Sequence, residues 1–488
     1  MTSLLRVSFL RVVFVGGLAA AACDSHSVVG QQSGHAGKGG GSAGTTGNAG
    51  TFGTLGDGGS FVSAGTTGSA GTVGTAGVLG TGGVGGSSSQ MCWQPPGGAS
   101  GQGLVFTGIG TIYATYRDPF RVALGDLDGD GKLDMAASNY LDQGFGGNDG
   151  AFAGVGGTAG AAGTGIGGTG IGGTAGPAPF TGSVSVMLSS EGHRPPHTYT
   201  AGFLPSALAV GDLDGDGKAD VAAVNQRDVN VLFNAGGGSL RTAVSFSSGT
   251  NPYEIALGDV DGDGKTDMVV ANRGQGLGDA AGTIIDADVA VLRSMGNGAF
   301  VATNYAAGTS PVDVALADLN GDGKLDIATA SGRGVSVLLN AGTGTFGPAA
   351  SYGFGTNPVS IALGDLNGDG KADIAVGNSS IGGVSVLLNL GNGAFAAAVN
   401  YPYGDVFDIG FSVAIGDLNR DGKPDLASSS AVCGIAILVN AGNGTFGPVL
   451  RRFAAPSQRS LTLGDLNGDG DLDFLAPAPE GVYVPERE

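Results

Sequence analysis

Basic residues are scarce in this 488-residue sequence: 22 Lys and Arg stand against 42 Asp and Glu, for a net charge of -20. Six of the seven lysines lie inside short acidic segments, which leaves no basic face for nucleic acid or anionic lipid. Four histidines offer little for acid–base chemistry. His26 and His35 lie near the amino terminus, and two prolines between His193 and His197 forbid the helix that would align that pair on a metal. No serine sits in a Gly-x-Ser-x-Gly elbow between a strand and a helix. An enzyme is therefore not expected. Three cysteines are too few for a disulfide framework, and no apolar run is long enough to span a bilayer. Helical spacing of apolar residues is absent as well.

What is present begins with Arg6 and Arg11 followed by an apolar run from Val12 to Ala22, which reads as an export signal over residues 1–22. The run ends in Ala20-Ala21-Ala22-Cys23, similar to the bacterial lipoprotein box. Lipidation of Cys23 is expected, which places the protein at the bacterial cell envelope or surface; without it the chain is secreted. An exported compartment permits a disulfide between Cys92 and Cys433, and two separate thiols are the alternative. Much of the sequence's 99 glycines falls in residues 23–103, with Ser, Thr and Ala and too few large apolar side chains to order the segment. It reads as a disordered tether.

From residue 104 to 488 one nine-residue acidic pattern recurs seven times, beginning at Asp126, Asp212, Asp259, Asp318, Asp365, Asp417 and Asp465. The period is close to 48 residues once a Gly/Thr/Ala insertion at about 141–179 is set aside as disordered. Each period holds four short apolar runs bounded by Gly and Asn. The fifth reads Ser360-Ile-Ala-Leu, the acidic loop, Ile374-Ala-Val, Val384-Ser-Val-Leu-Leu, then Gly391-Asn-Gly and a run to Tyr401. Four strands per period predict an all-β fold, a seven-bladed β-propeller. The last copy holds only three such runs, and the segment from Leu104 to Tyr116 is expected to supply its fourth strand and close the ring.

The loop reads Asp-x-[Asp/Asn]-Gly-Asp-Gly-x-x-Asp. Calcium takes six or more oxygens, and side chains at positions 1, 3, 5 and 9 with the carbonyl of position 7 can supply them if the chain curls around the ion. Glycines at positions 4 and 6 permit that curl. In the first copy the donors are Asp126, Asp128, Asp130, Asp134 and the carbonyl of Lys132, whose ammonium is expected to point outward. The pattern is similar to the start of an EF-hand but lacks its twelfth-position glutamate and its helices. Seven divalent ions would cancel most of the net charge.

Blocks such as Ala362-Leu-Gly-Asp-Leu-Asn-Gly-Asp-Gly-Lys-Ala-Asp-Ile-Ala and Gly442-Asn-Gly-Thr-Phe-Gly-Pro resemble FG-GAP repeats, also known as VCBS repeats, which include the integrin α-subunit propeller. The resemblance implies calcium ligands at the matching positions of every copy. These are Asp212, Asp214, Asp216, Lys218 and Asp220; Asp259, Asp261, Asp263, Lys265 and Asp267; and Asp318, Asn320, Asp322, Lys324 and Asp326. They continue with Asp365, Asn367, Asp369, Lys371 and Asp373; Asp417, Asn419, Asp421, Lys423 and Asp425; and Asp465, Asn467, Asp469, Asp471 and Asp473. It also implies that the loops join the first two strands of each blade on the face opposite the ligand. Arg420 at position 4 and Pro424 at position 8 make the sixth site the expected weak one, and the four Asn replacements lower the ligand charge.

The reading that follows is a calcium-binding scaffold, monomeric, for surface binding or adhesion to a glycan or an extracellular protein. Its ligand face is expected at the ends of the second strands, with Asn139, Tyr140, Gln226, Arg227, Asn272, Arg273, Arg333 and Asn378 as candidates. Two alternatives stay open. One is a lyase-like polysaccharide-degrading enzyme on the same propeller, hinted at by Arg227 with Arg273, and the other is a passive surface spacer.

Overall fold

The computed structural model describes residues 106–115, 119–139, 182–193, 196–276, 284–332, 334–353, 357–380, 382–403, 410–430, 434–452, 459–478 and 481–487. The expected signal at 1–22, the tether at 23–103, the insertion at about 141–179 and the residues Cys23, Cys92, Cys433, Tyr140 and Arg333 lie outside them. Among the described residues there is no α-helix, and one short 3-10 turn spans Ser189–Glu191.

Seven four-stranded antiparallel sheets follow one another along the chain. The fifth shows the plan: an innermost strand Pro358–Gly364, a second strand Asp373–Asn378, a third Gly383–Leu387 and an outer strand Val399–Pro402. A small extra hairpin pairs Asn389–Gly391 with Ala394–Phe395. Innermost strands start at Pro119, Ala207, Pro252, Pro311, Pro358, Gly410 and Thr462 in blades 1 to 7. A leading proline costs nothing there, because the first residue of a strand needs no ladder donor.

Blade 7 is assembled from both ends of the propeller. Its first three strands are Thr462–Gly464, Asp473–Ala478 and Gly481–Arg487, and its outer strand is Phe106–Tyr113, paired Tyr113 to Val482 and Thr111 to Val484. The N-terminal strand therefore completes the last blade, as the pattern predicts. Side-chain bonds seal the same junction near the axis: Ser460 Oγ donates to the Phe120 carbonyl at 3.3 Å and Thr462 Oγ1 to the Val122 carbonyl at 2.7 Å.

Every residue of the second strands in blades 1 to 6 is buried, so after the leading Asp they read as runs of small and aliphatic residues, with Ser428–Ser430 in blade 6, and without regular polar alternation. The core is a set of layers between blades. One layer joins Val184 and Val186 of blade 1 to Leu208, Val210 and Val221 of blade 2, and another joins Met135 and Met187 of blade 1 to Leu475 and Val482 of blade 7. Each such fully buried aliphatic side chain contributes about 1.5–3 kcal/mol.

Close approach between blades explains one recurrent glycine. A Cβ on Gly464 would lie 2.3 Å from Leu124 Cδ1 of the next blade. At the periphery, the outer-strand tyrosine of one blade meets the hairpin of the next. Tyr352 donates to the Gly393 carbonyl at 2.8 Å and packs edge-on against Phe395, and Tyr305 and Phe346 repeat the arrangement one blade earlier.

Candidate metal centres

Each acidic segment joins the innermost strand of a blade to its second strand, as the resemblance implies. The aspartate at position 9 is the first residue of the second strand and pairs with the last residue of the innermost one: Gly125 with Asp134, Gly211 with Asp220, Gly364 with Asp373. Antiparallel pairing then puts all seven loops on one face of the ring and the ends of the second strands on the other.

Inside the loop the first aspartate holds the curl. Asp126 Oδ1 accepts from Gly129 N at 2.7 Å and Oδ2 accepts from Gly131 N at 2.9 Å, and Asp212 does the same for Gly215 and Gly217. The glycines at positions 4 and 6 take φ of +84° and +85° in loop 1, a region that side chains rarely enter. Position 5 accepts from the amide of position 7, as Asp216 Oδ1 does from Lys218 N at 3.0 Å.

The last aspartate is a brace. Asp220 is fully buried, its Oδ2 accepting from Leu213 N at 2.9 Å and its Oδ1 from Asn234 N at 2.7 Å beyond the third strand. Asp134, Asp267, Asp326, Asp373 and Asp425 repeat this. An ionised carboxylate oxygen has a second lone pair, so the position remains able to face a cation. Burial, and then the neighbouring Asp214 and Asp212, push Asp220 up to about 7; Asp267, Asp373 and Asp425 rise to about 6 for the same two reasons. These are sites with excess negative charge.

Candidate ligand oxygens converge accordingly. One oxygen each from Asp126, Asp128 and Asp134 lies within 4.8 Å of the others, and so do those of Asp212, Asp214 and Asp220 and of Asp259, Asp261 and Asp263. The donor set is all oxygen, it is partly buried and it carries surplus charge. Those are the properties a hard divalent cation requires, and the acid clusters could hold one.

One expectation needs correcting. In five of the six loops that carry lysine the side chain does not point outward: the ammonium groups of Lys218, Lys265, Lys324, Lys371 and Lys423 fold back onto the carboxylate at position 5 of their own loops. That contact holds the exposed Asp263, Asp322 and Asp369 below the usual carboxylate range. The reason is electrostatic: the ammonium is the nearest cation to a cluster of acids.

Against this geometry, a profile of the FG-GAP-like repeat matches residues 194–270, 274–329, 318–376 and 365–428. This is an FG-GAP repeat propeller. Several solved structures align with it. An Agrocybe aegerita lectin, described for specific recognition of non-reducing terminal N-acetylglucosamine, is 24% identical over 60% of this chain and 81% of its own, with a TM-score of 0.44. BBS1N, crystallised in complex with ARL6DN, is 13% identical over 77% of this chain and 93% of its own, at 0.47. Virginiamycin B lyase from Staphylococcus aureus is 8% identical over 77% and 96%, at 0.44. No curated relative matches in sequence.

In the FG-GAP propeller, loop 6 departs from the others where the sequence says it should. Arg420 takes φ +60° where the other loops have glycine, and it reaches into loop 7. Its guanidinium donates to the Asp469 carbonyl at 3.0 Å and pairs through Nε with Asp471, the acid standing where the other loops carry lysine.

On the opposite face the candidate residues separate into two groups. Asn139, Asn272 and Asn378 are fully buried and hold turns together: Asn139 Nδ2 donates to Ser183 Oγ and Ser185 Oγ, Asn272 Nδ2 to the Ser248 carbonyl, and Asn378 Nδ2 to Ser385 Oγ. A polar strand end is as useful for satisfying buried neighbours as for meeting a ligand, and here it does the former. Gln226 and Arg227 are exposed, Arg227 lying over the Phe203 ring at 5.3 Å and the half-buried Arg273 over Tyr253 at 4.6 Å. His193 and His197 go separate ways, the first to the Leu133 carbonyl at 3.3 Å and the second to Glu191 at 2.9 Å.

Residues that sequence reasoning passed over tie these loops together. Asn234, Asn340, Asn389 and Asn440 follow the third strand in blades 2, 4, 5 and 6 and are buried. Each donates its side-chain amide twice, once to its own acidic loop and once to position 2 of the loop in the preceding blade, as Asn340 does to Leu325 and Val260. The signal was available in the Asn-x-Gly that recurs after the third strands of blades 2, 4, 5 and 6.

Proposed function

We propose that the acidic loops bind calcium and that the ions fasten the blades of an exported binding scaffold. The observation that carries this reading is the convergence of three carboxylates within 4.8 Å in each of loops 1 to 3, in loops 1 and 2 including a buried aspartate whose proton affinity is raised first by burial and then by the neighbouring acids. Positions 1, 3, 5 and 9 with the carbonyl of position 7 would hold the ion, which supplies the positive charge that the cluster lacks. Calcium suits a curled, adaptable loop better than magnesium, which demands near-ideal octahedral geometry. Residues of the chain do the rest. The first aspartate keeps the loop curled, the last one ties it to the sheet, and the lysine at position 7 swings away from position 5 when the ion arrives.

With the ions on one face, the other face is the binding surface, and its partner is a glycan or an extracellular protein. Arg227 and Arg273 are the groups placed to meet it, each lying over an aromatic ring, the first exposed and the second half-buried. The protein works outside the cell, held at the surface through a lipid on Cys23 and the Gly-rich segment after it. Isothermal titration of chelator-treated protein tests the first half of the reading: saturable calcium binding is expected, and its absence overturns it. A glycan array and surface pulldowns, each run with and without calcium, test the second. Calcium-dependent capture that Arg227→Ala or Arg273→Ala weakens is expected, and capture indifferent to both substitutions counts against this face.

A further inference from the structure

Position 3 of the acidic segment is asparagine in loops 4 to 7, and in three of these a glycine follows it: Asn320-Gly321, Asn367-Gly368 and Asn467-Gly468. Loop 6 has Asn419-Arg420 instead. Three more Asn–Gly pairs, Asn297-Gly298, Asn392-Gly393 and Asn443-Gly444, lie in the hairpin turns that follow the third strands. The side-chain carbonyl carbon of an asparagine is open to attack by the backbone nitrogen of the next residue, and glycine there removes the side chain that would obstruct the approach.

The fold gives the loop pairs and the hairpin pairs different surroundings. In the loops Asn320 Oδ1 accepts from Asp322 N at 2.8 Å, Asn367 Oδ1 from Asp369 N at 2.8 Å and Asn467 Oδ1 from Asp469 N at 2.9 Å. That contact lays the side chain against the peptide that would attack it, and it places a backbone donor where negative charge would develop on the oxygen. Gly321, Gly368 and Gly468 are exposed, and a Cβ on any of them would meet nothing within 4 Å. Each donates its N–H to the first aspartate of its loop at 2.7 Å. The N–H lies in the peptide plane, so this bond leaves free the π face of the nitrogen, through which it attacks. The hairpin glycines are held. Gly393 and Gly444 are buried, a Cβ on them would lie 2.8 Å from Leu339 Cδ2 and 2.6 Å from Leu388 Cδ2, and their N–H groups donate to the Leu319 and Leu366 carbonyls. Asn443 Oδ1 also accepts from the amide two residues on, Thr445 N at 3.1 Å, so its difference from the loop asparagines lies in the packed glycine.

We propose that Asn320, Asn367 and Asn467 are sites of spontaneous deamidation. Hydroxide from solvent takes the proton of the glycine nitrogen, that nitrogen bonds to Cγ of the asparagine, and the side-chain nitrogen leaves as ammonia with a proton from water. The cyclic imide then takes up one water at either carbonyl. Opening on one side gives aspartate at position 3, the residue that loops 1 to 3 carry as Asp128, Asp214 and Asp261. Opening on the other gives isoaspartate, which routes the backbone through the former side chain and lengthens the loop. Either product adds a carboxylate to the cluster. In loop 6 the attacking residue carries the side chain of Arg420, so Asn419 is spared although its Oδ1 accepts from Asp421 N at 2.9 Å. The reaction needs the loop and water alone, and failure of the calcium reading would leave it intact.

The test is peptide mapping by mass spectrometry of the full chain, as purified and shown to be folded by circular dichroism, after incubation at mildly alkaline pH. Conversion to aspartate and isoaspartate at Asn320, Asn367 and Asn467 is expected to run severalfold ahead of that at Asn392, Asn443 and Asn419. The urea-unfolded chain is the reference, and there all the Asn–Gly pairs are expected to convert alike. Arg420→Gly is expected to raise conversion at Asn419 severalfold, to the level of the other three loops. No conversion in the folded chain, loop asparagines no faster than Asn392 and Asn443, hairpin pairs that lag equally in urea, or an Asn419 unmoved by Arg420→Gly each overturns the proposal.

Discussion

Asn440, just beyond the third strand of blade 6, donates its side-chain amide at 2.8 Å to the backbone carbonyl of Leu366, in the acidic loop of blade 5. The same amide donates to the Pro424 carbonyl of its own loop, also at 2.8 Å. Replacing Asn440 by Ala removes this donor from the Pro424 carbonyl and leaves the Leu366 carbonyl with Gly444 N at 3.0 Å, and is expected to cost about 1–3 kcal/mol, read as a lower urea midpoint. An equal loss in Asn389→Ala, which bonds Leu319 and Ala372 in the same way, would show that the bond between loops is the cause.

Removing divalent ions with a chelator is expected to lower the melting temperature sharply. An ion bound only by the folded chain adds about 2.7 kcal/mol per site at a free concentration one hundred times its dissociation constant. Loops 1 to 3, with aspartate at position 3, are expected to fill before loops 4 to 7, where asparagine stands there. A melting curve indifferent to chelator would end the case for structural ions.

The buried aspartates give the metal-free protein an unusual response to pH. Asp220 titrates near 7 in the folded chain, and Asp267, Asp373 and Asp425 near 6, against 3.8 when exposed. Between those limits the folded state holds protons that the unfolded state has released, so stability falls as pH rises through the window. Chelator-treated protein should therefore resist urea better at pH 5 than at pH 7.5. With calcium present the order should reverse, because the ion competes with those protons and binds best when they are gone.

Arg420 carries a conformational cost that the glycines of the other loops avoid, about 1 kcal/mol for a side chain at left-handed φ. Its pairing with Asp471 is largely exposed on the arginine side and returns little. Arg420→Gly is expected to raise stability modestly and to strengthen calcium binding at loop 6, both measurable in one titration series.

Arg121 of blade 1 and Glu254 of blade 3 meet guanidinium to carboxylate at 2.6 Å, with side chains only 8% and 3% exposed. This pair should behave unequally to single and double substitution. Arg121→Met leaves a buried carboxylate without its partner and is expected to cost about 3–5 kcal/mol. Arg121→Met/Glu254→Leu removes both charges and should recover most of that loss in equilibrium unfolding.

The ring itself was legible because each of its parts repeats. Seven acidic loops in register gave the blade count, and the three-strand final copy foretold that Phe106–Tyr113 would pair with Gly481–Arg487. Asn139, Asn272 and Asn378 were misread because a polar residue at a strand end looks the same in sequence whether it faces a ligand or a buried serine. The Arg121–Glu254 contact was invisible for a different reason. Its partners are 133 positions apart and belong to blades that are not neighbours, so no local pattern relates them. The fold of the loop lysines onto position 5 depends on side-chain rotamers, which spacing does not specify.

Closure of blade 7 by Phe106–Tyr113 also orders events in time. That strand leaves the ribosome long before its partner Gly481–Arg487 exists, so through synthesis of the intervening blades it must wait unpaired. The earlier blades can form and stack, but the ring has two raw ends until residues 481–487 emerge. The step that locks the ring is withheld until residues 481–487 have been made, so any event that needs an open chain can precede it.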